Sequence, residues 1–117
     1  MYYRMFPHLT HLNQNSTTIE ASALISIDGL VMASTLVDDE DSIGAISAAM
    51  LSLASHGMST VLGGSLEQML IKGKRGNILM TLIDKELILT VMAKPNAKLE
   101  QLFLEKQHYI EKLLTLI

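Results

Sequence analysis

The chain's apolar positions change period several times. Residues 20–27 alternate in part, with Ala21, Ala23, Ile25 and Ile27 on one side, and a second extended run covers residues 30–35. Asp28-Gly29 between them predicts a two-residue hairpin, because a type I′ turn needs positive φ at both central positions. Over residues 43–62 the spacing turns helical, and Ile43, Ile46, Met50, Leu53, Gly57 and Val61 share one face, the expected core stripe. Asp41 or Ser42 is the expected N-cap, and Gly63-Gly64 ends the helix, since glycine takes a left-handed position without strain. Residues 67–72, 77–83 and 87–93 read as strands, with turns at 73–76 and 84–86. The last two are apolar on both faces, which calls for helices above and below the sheet. Asn96 is expected to cap a final helix with Leu99, Leu102, Phe103, Ile110, Leu113, Leu114 and Ile117 as its stripe.

The first eighteen residues are weakly patterned. Met5, Leu9 and Leu12 can line one side of a short helix interrupted near Pro7, and residues 13–18 read as a polar loop. The expected organisation is an N-terminal segment over residues 1–18 and one domain over residues 19–117. The fold class is an α/β sandwich of the α+β kind: a five-stranded antiparallel sheet flanked by helices.

The central helix is the unusual segment. No Asp, Glu, Lys or Arg occurs over residues 42–66, whereas a surface helix normally shows water a charged stripe. Its second face carries Ala45, Ala48, Ala49, Ser52, Ser55 and Ser59. A membrane span is long enough to fit, but several serines, a threonine and a histidine oppose it, and the flanking hairpins need this helix for their core. A charge-poor helix facing water is a second reading. A helix buried on both faces, one against its own sheet and one against a partner, agrees best with charge depletion at interface cores. The strand after it, Glu67, Gln68, Met69, Leu70, Ile71 and Lys72, would pair with its own copy if it lies at a sheet edge, and a two-fold axis would join helix to helix and edge to edge.

Composition narrows the function classes. The 117 residues carry a net charge of −3, which points away from nucleic acid, and 49% apolar residues, which points away from disorder. No cysteine is present, so disulfides and thiolate metal sites are excluded. Residues 1–6 lack the apolar core of a signal peptide, Arg4 being their single cation, and a cytoplasmic location is expected.

Candidate chemistry is sparse. The carboxylates at 38–41 fit the positive end of the following helix better than a metal, whose oxygen ligands come from a wider set. His8 and His11 have a metal-compatible i, i+3 spacing, but no further ligand completes the set. Ser55 and His56 are adjacent on a helix and point about 100° apart, so they form no nucleophile pair. Lys72, Lys74 and Arg75 lie at a hairpin tip, where a phosphate-binding loop would need a helix to follow. They remain a possible contact for an acidic partner. Among the methionines, Met50 and Met69 are placed near the proposed seam, where adaptable side chains suit recognition. No catalytic residue, metal or cofactor is expected.

The joints of this pattern resemble the Roadblock (dynein light chain) family, and its bacterial and archaeal MglB-like members above all. The matching stretches are ASALISIDGLVMAS from Ala21, ISAAMLSLA from Ile46, LGGSLEQMLIKGKRGNILM from Leu62 and MAKPNAKL from Met92. The resemblance implies a profilin-like layering of helices on a five-stranded sheet. It implies dimerisation through the central helix and the strand after it, and partners among Ras-like small GTPases or scaffolds. Two features depart from the family: the short first helix with Pro7, and Glu100 where glycine is common. The expected function is a non-enzymatic homodimer that binds a small GTPase and modulates its nucleotide state or localisation. The alternative is a scaffold subunit of a heteromeric signalling or motility complex without effect on GTP hydrolysis. A small-molecule sensor is a weaker third reading, since no convergent polar residues mark a pocket.

Overall fold

A computed structural model describes residues 5–36 and 38–116. Arg4 and Ile117, used in the sequence reading, lie outside the described residues. The elements are α1 (Phe6–Gln14), β1 (Ile19–Ser26), β2 (Val31–Ser34), α2 (Glu40–Val61), β3 (Gln68–Lys72), β4 (Asn77–Leu82), β5 (Leu87–Ala93) and α3 (Leu99–Leu114). The strands form one sheet in the order β2-β1-β5-β4-β3, antiparallel throughout.

Two cores sandwich the sheet. Alternate residues of β5 point to opposite faces. Leu87, Leu89 and Val91 join Leu9 and Leu12 of α1 and Leu102, Tyr109 and Leu113 of α3 on one side. Ile88 joins Ala23, Ile25 and Met80 under Leu51 of α2 on the other. The expected five strands, central helix, C-terminal helix and two covered faces are present, and the N-terminal segment, read as a short helix or loop, forms the helix α1. Met5, Leu9 and Leu12 are buried, so α1, despite Pro7, belongs to the same core as the strands.

Hydroxyl and carboxylate groups tie α3 to the start of the sheet. The Glu105 carboxylate accepts hydrogen bonds from the hydroxyls of Ser16, Thr17 and Thr18 and from the backbone N–H groups of Thr17 and Thr18. Tyr109 donates its phenol to Asn13 Oδ1 at 2.7 Å, and Ser22 donates to the same oxygen at 3.0 Å.

Several local expectations are corrected. Gly29 has φ +93°, but Asp28 is not in the left-handed region. The β1–β2 turn is therefore not type I′. It is closed by Gly29 N–H to Ser26 C=O at 2.9 Å, and the register shifts between Leu24 and Ile25. Helix α2 starts earlier than expected, with Asp39 as N-cap at φ 56°, a conformation aspartate tolerates, so neither Asp41 nor Ser42 caps it. Lys98, not Asn96, precedes α3, and residues 94–97 form a turn closed by Ala97 N–H to Lys94 C=O. In α3 Leu114 is exposed and Tyr109 is buried, so the stripe runs through Leu102, Tyr109, Ile110 and Leu113.

The largest correction concerns the faces of α2. Its buried residues are Gly44, Ser47 and Leu51, whereas Ile46, Leu53 and Val61 of the expected core stripe are 50%, 74% and 78% exposed. The cause is a close approach. A Cβ on Gly44 would lie 2.5 Å from the Gly29 carbonyl oxygen and 2.9 Å from a Val31 methyl. Only small side chains fit between helix and sheet there, so the large ones rotate outward. Ser47 is buried without penalty because Thr90 donates to its Oγ at 3.2 Å.

Candidate functional site

Strand β3 is an edge, bonded on one side to β4 in the register Gln68↔Thr81, Leu70↔Leu79, Lys72↔Asn77. Leu82 N–H bonds Glu67 C=O, and Gly73 N–H bonds Gly76 C=O. Inward and outward pairs alternate along an antiparallel ladder. Met69 and Ile71 therefore also bond towards β4, while Gln68, Leu70 and Lys72 direct their N–H and C=O groups to the open side. Five residues of open, apolar-centred edge are the kind of surface that normally finds a strand to pair with.

On the face of the sheet that Met69 and Ile71 share, α2 leaves apolar surface uncovered. Ile46, Leu53, Val61 and Leu62 are exposed, and Met50 is half-buried. Beyond Ser55 only Met58 is even half-buried, and a Cβ on Gly57, Gly63 or Gly64 would meet nothing within 4 Å. The last two turns of α2 thus stand largely clear of the other elements. On the same face of the sheet, Met69, Ile71 and Ile78 are also only partly covered.

The small-residue stripe expected at an interface lies on the other flank of α2 from Met50. Ala48 and Ser55 are half-buried against the sheet, and Ala45, Ala49, Ser52 and Ser59 are exposed. Together with Ile27, Leu82, Lys85 and Ile88, residues Ala48, Leu51, Ser52 and Ser55 line a cavity of about 280 Å³ on the flank of α2 away from Met50.

Charge is segregated along the strand direction. Lys72, Lys74 and Arg75 are exposed at the β3–β4 turn, and strand register brings the end of β5 beside them: Asn77 pairs with Ala93 and donates from Nδ2 to Lys94 C=O. Lys94 and Lys98, which the sequence reading did not group with them, therefore belong to the same end. At the opposite end the β1–β2 and β4–β5 turns adjoin through Ile27 N–H to Glu86 C=O at 2.9 Å, which gathers Asp28, Asp84 and Glu86 with the single cation Lys85.

A groove of about 780 Å³ between α1 and α3 collects His8, His11 and His108 on its walls. Among the described residues, no three His, Asp or Glu groups are arranged to hold a metal. Partial burial works to raise the Glu105 pKa, but the hydrogen bonds from Ser16, Thr18, Thr17 and Gln101 prevail and hold it at about 2. Burial lowers the Lys106 pKa against the opposing charge of Glu67, and burial with the Glu105 charge raises that of Tyr109. The Glu105 hydrogen bonds tie α3 to the start of the sheet. No described helix is long and apolar enough to cross a membrane.

Comparison with known proteins follows this geometry. No curated protein matches the chain in sequence. Among solved structures, the Roadblock/LC7 domain from Streptomyces avermitilis superposes with a TM-score of 0.84 at 19% identity, covering 94% of each chain. Myxococcus xanthus MglB superposes with a TM-score of 0.86 at 14% identity, covering 98% of this chain and 88% of that one. Schizosaccharomyces pombe profilin gives 0.68 at 13% identity, covering 95% and 97%, in accord with the profilin-like layering expected from the sequence. At these identities the likeness is one of fold. In sequence, the Roadblock/LC7 domain pattern matches residues 6–93, from α1 to the end of β5. The chain belongs to the Roadblock/LC7 family.

Proposed function

We propose that the protein is a homodimeric, non-enzymatic platform that binds a Ras-like small GTPase in the cytoplasm and modulates its nucleotide state or localisation. The observation that carries the self-association is the open β3 edge together with the apolar residues that α2 leaves uncovered on the face of the sheet shared by Met69 and Ile71. Family membership supports the GTPase partner, and a structural neighbour, MglB, has been seen in a tetrameric arrangement.

The dimer has a preferred register. Gln68, Leu70 and Lys72 hold the outward backbone groups, and antiparallel partners must lie on the same face of the sheet. With Leu70 on the two-fold axis, Leu70 faces the partner's Leu70 and Gln68 faces the partner's Lys72, so every outward group is used. An axis at Met69 or Ile71 leaves Lys72 or Gln68 without a partner inside the strand. The same axis, normal to the sheet, sets the two α2 helices side by side. Ile46, Met50, Leu53 and Val61 then form the helical seam, and the free end of α2 lies towards the partner's Ile71 and Ile78. Of the small residues first assigned to the interface, Ala45, Ala48, Ala49, Ser52, Ser55 and Ser59, those lining the cavity flank are left outside this seam.

The chain has no cysteine, so single cysteines report register cleanly. Oxidised Leu70→Cys is expected to give a covalent dimer, and Met69→Cys and Ile71→Cys are not, because their Cα atoms would stand beyond disulfide reach. Light scattering should give twice 12.9 kDa for wild type and a monomer for Leu53→Glu, whose site is exposed in the protomer. A wild-type monomer at micromolar concentration sinks the homodimer. The GTPase reading requires affinity for the GDP and GTP forms to differ, about tenfold per 1.4 kcal/mol. Equal affinity with unchanged hydrolysis would leave a scaffold subunit instead.

A further inference from the structure

The seam proposed above uses one flank of α2. The other flank carries an apolar site that self-association leaves open. Gly29 sits against the first turns of α2, with Ala45 Cα and Ala48 Cβ each 3.6 Å from where its Cβ would be. This holds the turn residues Ile27 and Leu30 beside the helix, 46% and 67% exposed. Large apolar side chains at a turn tip gain nothing from facing water. Between Ile27 and the helix opens the cavity of about 280 Å³, floored by Leu51, Leu82 and Ile88 and edged by Ser52 and Ser55. Its volume suits one large side chain.

The rim selects the chemistry of what enters. Asp28, Asp84 and Glu86 stand exposed on the two adjoining turns, and Asp41 lies one helical turn before Ala45; Lys85 is the cation lining the cavity. Asp84 turns its Oδ1 to the N–H groups of Glu86 and Leu87, so it shapes the turn as well as charging it. The chain's other cations, apart from Arg4, Lys106 and Lys112, gather at the far end of the sheet. The two turns that supply Ile27 and Lys85 to the cavity carry three exposed acids against that one lysine, and an apolar cavity beside such a net negative charge fits an anchor side chain flanked by positive charge.

We propose that this end of the protomer, centred on Ile27, Leu30 and the Ser52–Ser55 side of α2, docks a segment of a partner protein that carries a large apolar side chain between Lys or Arg residues. The proposal rests on the reading that self-association occupies the opposite flank of α2. It names where a second protein binds the dimer, two equivalent sites facing away from the two-fold axis.

The probe is a synthetic peptide of leucines interspersed with lysine and arginine, titrated into the isotopically labelled protein, with a control peptide bearing glutamate at every cationic position. The expected result is shifts at Ile27, Leu30, Ala48 and Ser52 with the basic peptide and binding about tenfold weaker with the acidic one. Ser52→Phe, which fills the cavity from an exposed position, and the pair Asp28→Lys with Glu86→Lys should each weaken the basic peptide about tenfold. Arg75→Glu at the far end should leave it unchanged. Equal binding of both peptides overturns the proposal, as do shifts confined to the α1–α3 groove, or full affinity in Ser52→Phe. Growth of mass beyond the dimer with shifts at residues 72–76 also overturns it, since the occupant would then be a further copy of the chain. Light scattering on the same samples separates the two readings. A monomer that binds the peptide here refutes self-association alone, and a dimer that does not bind refutes the docking site alone.

Discussion

Replacing Glu105 by glutamine tests the lock between α3 and the start of the sheet. The side chain keeps its shape, but one acceptor oxygen becomes a donor that faces other donors. In the wild type, Oε1 accepts from Ser16 and from the backbone N–H and hydroxyl of Thr18, while Oε2 accepts from the Thr17 hydroxyl at 2.9 Å and from Gln101 at 3.2 Å. These bonds hold the carboxyl at about 2, below its ordinary 4.5. A depressed folded-state pKa contributes stability that is fully present above the unfolded value and is lost as pH falls from 4.5 through about 2. The separation sets a ceiling of about 3 kcal/mol, and solvent around a carboxylate that is only partly buried reduces this to about 2 kcal/mol or less. Urea unfolding at fixed protomer concentration should show Glu105→Gln less stable by about 2 kcal/mol at pH 7, with the gap closing as both proteins approach pH 2.5. A difference that stays constant with pH would refute the linkage. A difference below about 0.5 kcal/mol at pH 7 would mean that the hydroxyl cluster is satisfied equally well by water.

Further substitutions test the packing of α2 and the second polar contact of α3. Gly44→Val should cost at least about 2 kcal/mol in thermal or urea unfolding, because the new atoms fall on the Gly29 carbonyl and Val31. Leu51→Ala empties the main apolar contact of α2 with the sheet and should cost about 3 kcal/mol. Tyr109→Phe removes a single donor from Asn13, whose oxygen keeps Ser22, and should cost only about 1 kcal/mol. Leu53→Glu should leave the protomer's helix content unchanged while abolishing the dimer, the signature of an interface residue and not a core one.

Local chemistry made most of the architecture legible in the residues. Period-two runs marked the strands, Gly63-Gly64 marked the end of α2, and two-sided apolar strands in β4 and β5 announced the helices on both faces. The absence of charge from residues 42–66 set α2 apart in the sequence. Which side of α2 meets the sheet was beyond that reading. A helical stripe specifies a face but not its distance from the neighbour, and the contact between Gly44 and the β1–β2 turn is too close for isoleucine or leucine. Gly44 and Ser47 therefore face inward at the start of the helix with Leu51 one turn further on, while Ile46, Leu53 and Val61 face outward. The grouping of charges was equally hidden. Lys72 and Lys94 are far apart in the chain and become neighbours only because β4 and β5 pair in one register. Periodicity and turn chemistry act over a few residues and could be read from the sequence; helix–sheet separation and strand register depend on contacts between distant residues, so only the tertiary structure decided where α2 is free and where each charge lies.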